Sequence, residues 1–178
     1  LFGIVVVKSK TTATIEIGAD GAGAGTYIAA DNNLDILTRA RGNISGSVSV
    51  FYFGKGPGKL FDIAFAYGQL DIVNTIFVYD NAKLIVGGNL VIDANTARNA
   101  DMGATSNAFE DAQVAVAVSL LMITSNIHVS LDGITHAAGN VTITALDYVH
   151  LKNDNATTAQ VGTGSIGAKV KMTVAGKV

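Results

Sequence analysis

The stretch VAVAVSLLMITSNIHVSLDGITHAAGNVTITALD, residues 114–147, decides the fold. Apolar residues alternate through much of it. Ile127 and Val129 flank His128, and Val141 and Ile143 flank Thr142. Alternation at period two puts one row of side chains on each side of an extended strand. Val, Ile and Thr also suit a pleated surface better than a helix. The Asp-Gly at 132–133 and the Gly-Asn at 139–140 punctuate the run as turns.

The pattern recurs upstream. NLDILTRA starts at Asn33, NLVIDANT at Asn89 and NVTITALD at Asn140, each an Asn followed by an alternating pair that includes Ile36, Ile92 or Ile143. Ahead of each stands a second pair: Ile15 and Ile17, Ile76 and Val78, Ile127 and Val129. One offset of 51 residues carries Asn89 to Asn140, Ile76 to Ile127 and Ile63 to Val114, and along it Ala64 meets Ala115, Gly88 meets Gly139 and Ala94 meets Ala145. The first unit is looser. Ile15 to Leu34 spans 19 residues where the later units have 14, and the excess falls in GADGAGAG, Gly18 to Gly25. A second excess of five lies between Ile36 and Ile63, where GKGPGK runs from Gly54 to Lys59. A fourth unit begins near Ile166, and the array is expected to be cut mid-unit. The reading is one array, with units 1–60, 61–111 and 112–163 and a partial unit 164–178.

A repeated strand unit cannot bury its apolar face alone, but stacking on the next unit buries it and pairs its backbone. The expectation is therefore an all-β chain folded as a parallel β-solenoid, a β-helix, built from repeats of about 51 residues. A β-sandwich is the alternative. Whether a unit holds two coils or one coil with an excursion stays open. NTARNADMGATSNAFEDA from Asn95 is rich enough in Ala for a helix, but its counterpart YVHLKNDNATTAQ looks extended, so loop or strand is expected. The structural repeat positions are Asn33, Asn89 and Asn140, with Ile15, Ile76, Ile127, Ile36, Ile92 and Ile143. An Asn at the same turn of every unit suits left-handed backbone geometry or an amide ladder along the stack.

Composition narrows the function. Of 178 residues, 49% are hydrophobic and 15% charged, enough apolar material for a core. The net charge of −2 offers no basic excess for nucleic acid. Without cysteine there is no disulfide, thiolate metal site or cysteine nucleophile. The longest mostly apolar run, Ala112 to Ile123, is too short for a membrane-spanning helix, which needs roughly 20 residues. The opening LFGIVVV has no initiating Met and no basic segment, so a processed or excised piece is expected.

Motifs that could signal chemistry fail on context. GTGSIG, Gly162 to Gly167, runs on into alternating strand rather than a helix, and GKGPGK lacks the terminal GK[ST] of a phosphate loop. His128 should face outward, and His136 and His150 should lie in or near turns, with no metal-ligand spacing among them. Asp35 and Asp93, or Asp80 and Asp132, could stack as a carboxylate pair, but Asp35 aligns with Val91 and Asp93 with Thr144. Thr14, Thr75, Thr142 and Thr144 make no sustained ladder for a flat binding face. Asn43, Asn140 and Asn155 open N-x-S/T triplets, read as incidental.

Residues 114–147 resemble the repeats of giant bacterial exoproteins of the filamentous-haemagglutinin and large-adhesin type, which join an alternating Val/Ala strand, a short strand ending in an Asp turn and a "GNVTI.A" strand. Residues 61–97 repeat the pattern more weakly and residues 1–40 more weakly again. The resemblance implies export, a right-handed β-helical stalk and an adhesive or matrix role, and it supplies no catalytic residues. The expectation is a non-enzymatic extracellular or cell-surface module without cofactor, a section of fibre, sheath or adhesin stalk. Its partners would be neighbouring repeats or copies of itself through the solenoid ends, and host-surface or matrix glycans. The functional alternative is a carbohydrate-active or carbohydrate-binding solenoid.

Overall fold

The computed structural model describes residues 1–19, 25–52, 61–108, 114–159 and 165–177. Ten strands follow in order: β1 Phe2–Ile17, β2 Tyr27–Ala30, β3 Leu34–Tyr52, β4 Phe61–Val78, β5 Lys83–Val86, β6 Leu90–Ala108, β7 Val114–Leu131, β8 Ile134–Ala137, β9 Val141–Ala159 and β10 Ser165–Lys177. Every pairing between them is parallel. They form three sheets: a first long sheet β1-β4-β7-β10, a short sheet β2-β5-β8 and a second long sheet β3-β6-β9. The chain is a parallel β-solenoid. One repeat is one coil of a long, a short and a second long strand, which settles the number of coils per unit. Adjacent pairs in each sheet come from successive coils, and the antiparallel neighbours usual in a sandwich do not occur among the described residues.

Alternation builds the interior. Along β4 the even-numbered residues from Asp62 to Val78 are buried while their neighbours are partly exposed, apart from Thr75. In β6 the even-numbered residues from Leu90 to Ser106 are buried in the same way. Asn95 to Ala108, the segment with helical composition, is therefore strand. The two long sheets face each other across two apolar clusters. One joins Ala40, Ile44 and Met102 to Leu70, Ile72 and Leu121. The other joins Ile76, Val78 and Ile127 to Leu84, Val86, Leu90 and Ile92, where the short sheet closes one end of the coil. Each fully buried Leu or Ile contributes roughly 1.5–3 kcal/mol.

Between the clusters lie polar side chains. The Asn74 amide donates to the Asn95 carbonyl at 2.8 Å and to the Thr96 hydroxyl at 3.2 Å. Arg98, only 5% exposed, turns inward and makes a two-pronged ion pair with Asp147 of the next coil through Nε and Nη2.

Length variation is confined to two of the three corners. Strands of the first long sheet are followed by residues 18–26, 79–82 and 132–133 in successive coils. Strands of the second long sheet are followed by 53–60, 109–113 and 160–164. The corner between the short strand and the second long strand is always three residues: 31–33, 87–89 and 138–140. GKGPGK and the centre of GADGAGAG lie outside the described residues.

The corner lengths correct the register expected in the first long sheet. Ile76 pairs with Val129, Ala64 with Ala117 and Ile127 with Asn74, each two positions from the 51-residue equivalence. Turn 79–82 is two residues longer than turn 132–133, so the strands ahead of it are displaced by two. The second excess of five therefore splits. Three residues belong to the corner 53–60 and two to the turn 79–82. A shift of two preserves which face points inward, and Ile76 and Ile127 are both buried.

Candidate functional site

The three asparagines meet at the corner of fixed length. The backbone N–H of Asn89 donates to Oδ1 of Asn33 at 2.8 Å, and that of Asn140 donates to Oδ1 of Asn89 at 2.8 Å. Leu34 N donates to Asn89 O, and Leu90 N to Asn140 O, both at 2.9 Å. Of the two geometries considered for these residues, the amide ladder is the one observed. It explains the preceding glycines. A Cβ on Gly88 would sit 2.5 Å from Asn33 Oδ1, and one on Gly139 would overlap Asn89 Oδ1. The amide of one coil occupies the space that a side chain would need on the next.

Ile36, Ile92 and Ile143 stack directly in the second long sheet. Ile36 and Ile92 are buried, while Ile143 on the end strand β9 is 50% exposed. Ile15 stacks on Ile76.

The other chemical candidates are dispersed. His128 is exposed on β7, its ring 5.2 Å from that of Phe77. His136 is on the short strand β8, two residues from the corner 138–140 and so near a turn as expected, while His150 lies well inside β9, away from any turn; both are exposed. Asp35 pairs with Val91 and Asp93 with Thr144, so no carboxylate column forms there. Asp93 instead accepts from Asn95 at 2.6 Å and lies 3.9 Å from Arg39. Asp132 accepts from Ser130 within its own turn region, and Asp80 is exposed in the preceding coil's turn. Thr14 and Thr75 stack with hydroxyls 3.1 Å apart, and the next position in that column is His128. No group of three or more His, Asp or Glu is placed to hold a metal among the described residues. No helix among them is long and apolar enough to cross a membrane. Of GTGSIG, Ser165 to Gly167 are in β10 and the rest lies outside the described residues. Among the triplet asparagines, Asn43 is exposed in β3 and Asn140 is in the corner ladder.

One feature went unread in the sequence. On the outer face of the second long sheet is a hollow of about 430 Å³ lined by Arg41, Asn43, Asn99, Tyr148 and His150, with Ala97 and the backbone at Gly42, Arg98 and Val149 as its floor. A smaller one of about 180 Å³ shares Arg41, Ala97 and Tyr148 and extends the trough toward Arg39 and Asn95. Its shape follows from one column of side chains. Arg41, Ala97 and Tyr148 stack in one column, so the small residue lies between two large ones. Beside that column the inward position Gly42 carries no side chain, and its space is filled from the facing sheet, since a Cβ there would sit 2.5 Å from Ile72 Cδ1. The column was countable, because Arg41, Ala97 and Tyr148 each stand eight residues after a corner asparagine.

No family model, no curated protein and no solved structure matches this chain.

Proposed function

We propose that the chain is a section of an extracellular structural or adhesive β-solenoid: a stalk, sheath or fibre module without catalysis. The observation that carries this reading is the parallel stack held by a three-residue corner ending in asparagine in each of three successive coils. Such a construction is quasi-one-dimensional. Each coil contacts its neighbours, and length grows by adding coils without altering those present. Rigidity and reach are what it provides. Its polar chemistry supports the same reading, because side chains such as Tyr67, Gln69 and Asp71 bond to one another along the outer strand face instead of converging on a reacting centre.

The end strands give the module its partners. β9 leaves inward-facing Val141 and Ile143 about half exposed, and one backbone edge of β8 and β9 unpaired among the described residues. Open solenoid edges are covered by a cap, a further coil or another copy. Further coils of the same kind, or copies of this chain, are the partners that match them.

Electron microscopy of the purified chain tests the reading. Rods, or filaments that lengthen with concentration, are expected. Compact monomers with capped ends sink the polymerising version. Sequencing the gene on both sides tests the rest: further coils, an export signal or a surface anchor are expected, and a fused catalytic domain without any of them would overturn a stalk role.

A further inference from the structure

We infer that the hollow over Ala97 is a binding site for a uronate-bearing saccharide, with Arg41 holding the carboxylate and Tyr148 stacking on the sugar ring. The inference rests on the adhesive branch of the reading above and supplies it with a ligand and a site.

Hydrogen-bonding capacity is left unused in the hollow. On the outer faces some polar side chains bond to one another, Arg39 and Asn95 with Asp93, and Tyr67, Gln69 and Asp71 in a chain. Others, such as Glu16 and Asp35, have no partner among the described residues, and the hollow gathers five of this second kind in one concavity. The side chains of Arg41, Asn43, Asn99, Tyr148 and His150 have no hydrogen-bond or ion-pair partner among the described residues. The one bond involving Arg41 uses its carbonyl, which accepts from the Thr11 hydroxyl at 3.3 Å and leaves the guanidinium unengaged. These groups come from three strands of three successive coils, so only the stacked solenoid brings them together.

Charge selects an anion. Asp93 is taken up by Arg39 and Asn95, and no carboxylate is among the residues that line the larger hollow. The uncompensated charge at the hollow is the Arg41 guanidinium, whose planar fork matches a carboxylate with two parallel bonds. Shape and donors select a sugar. Amides at Asn43 and Asn99 both donate and accept, as a sugar hydroxyl does. The Tyr148 residue is 61% exposed, so its ring is available to the apolar face of a pyranose. Arg41 and Tyr148 stand two strands apart, about 10 Å at ordinary strand spacing. That gap holds a sugar ring above Ala97. The smaller hollow continues the trough past it, which suits an oligomer better than a single sugar.

The test is calorimetric titration of the whole chain with a galacturonate oligomer, a neutral malto-oligosaccharide, and acetate as a free carboxylate. Binding of the uronate oligomer is expected, weakening as salt rises, with no comparable binding of the other two. Arg41→Gln should reduce affinity about tenfold or more, Arg41→Lys less, and Tyr148→Ala comparably to Arg41→Gln. Lys83→Gln, on the short sheet, removes a charge elsewhere and should leave affinity unchanged. Failure of the folded wild-type chain to bind, equal binding of the neutral sugar or of acetate, or full affinity in Arg41→Gln would each overturn the inference. Far-UV circular dichroism shows that each variant is folded. Electron micrographs of the same preparation judge the stalk reading separately, so rods that do not bind uronate defeat the site alone.

Discussion

At the scale of single residues, the corner asparagine and the glycine before it on the next coil form one unit. Asn89 spends its backbone N–H on the coil before and its side-chain oxygen on the coil after. Asn89→Ala should cost about 1 kcal/mol in chemical denaturation, the net worth of one intramolecular hydrogen bond. Gly139→Ala should cost more, since its Cβ meets the Asn89 oxygen. The two should couple: Gly139→Ala should cost less in an Asn89→Ala background, and simple additivity in that double-mutant cycle would show that the ladder does not require the glycine. The buried ion pair behaves differently. Asp147→Ala leaves the Arg98 guanidinium inside the stack with its charge uncompensated, and a loss of about 3–5 kcal/mol is expected. Replacing both partners together, Arg98→Met with Asp147→Leu, should restore most of it. If the double variant were as unstable as Asp147→Ala, the pair would contribute more than compensation of its own burial.

Between strands, the corners carry the differences that strand pattern cannot reveal. Inserting two residues into turn 132–133 gives it the length of turn 79–82, and doubling a short loop costs only about 0.6 kcal/mol. A single residue inserted at 138–140 should be far worse, because it breaks the ladder and turns every β9 side chain to the opposite face. A thermal melt of both insertions decides between them: a small shift for the first and loss of the cooperative transition for the second are expected. The same contrast explains what the sequence revealed. Alternation identified inward and outward faces, and the fixed corner allowed Asn33, Asn89 and Asn140 to be aligned without error. Upstream, the pairing of Ile76 with Ile127 missed by two, because a shift of two leaves alternation unchanged and a Val/Ala-rich strand offers a good match at either setting. Asn74, which stacks on Ile127, was hidden for the same reason: a buried amide between apolar clusters breaks the pattern used to find the core. The outer hollow depended on an absence, Ala97 between two large residues, and residue patterns tuned to apolar periodicity pass over it.

For the molecule as a whole, a stack in which each coil serves as template for the next should tolerate removal of one full period. Deleting residues 83–133 joins Ala82 to Ile134, so that β4 leads through its own turn into β8 and β9. The short strand β8 then lies over β2, β9 over β3 and β10 over β4, all parallel. Gly139 comes against the Asn33 amide, which Gly88 normally meets, and Asn140 can donate to Asn33 as Asn89 does now. The ion pair is lost with Arg98, however, and Asp147 comes over Ala40, the position that Thr96 occupies in the full chain. Asp147→Thr in the shortened chain should therefore recover stability. Both shortened chains should keep the β-type far-UV spectrum, and the denaturant slope should fall by roughly a quarter to a third, in proportion to the surface removed. A molten, uncooperative product from the Asp147→Thr version would mean that the coils are not interchangeable, and growth by adding coils could not then be the principle of the assembly.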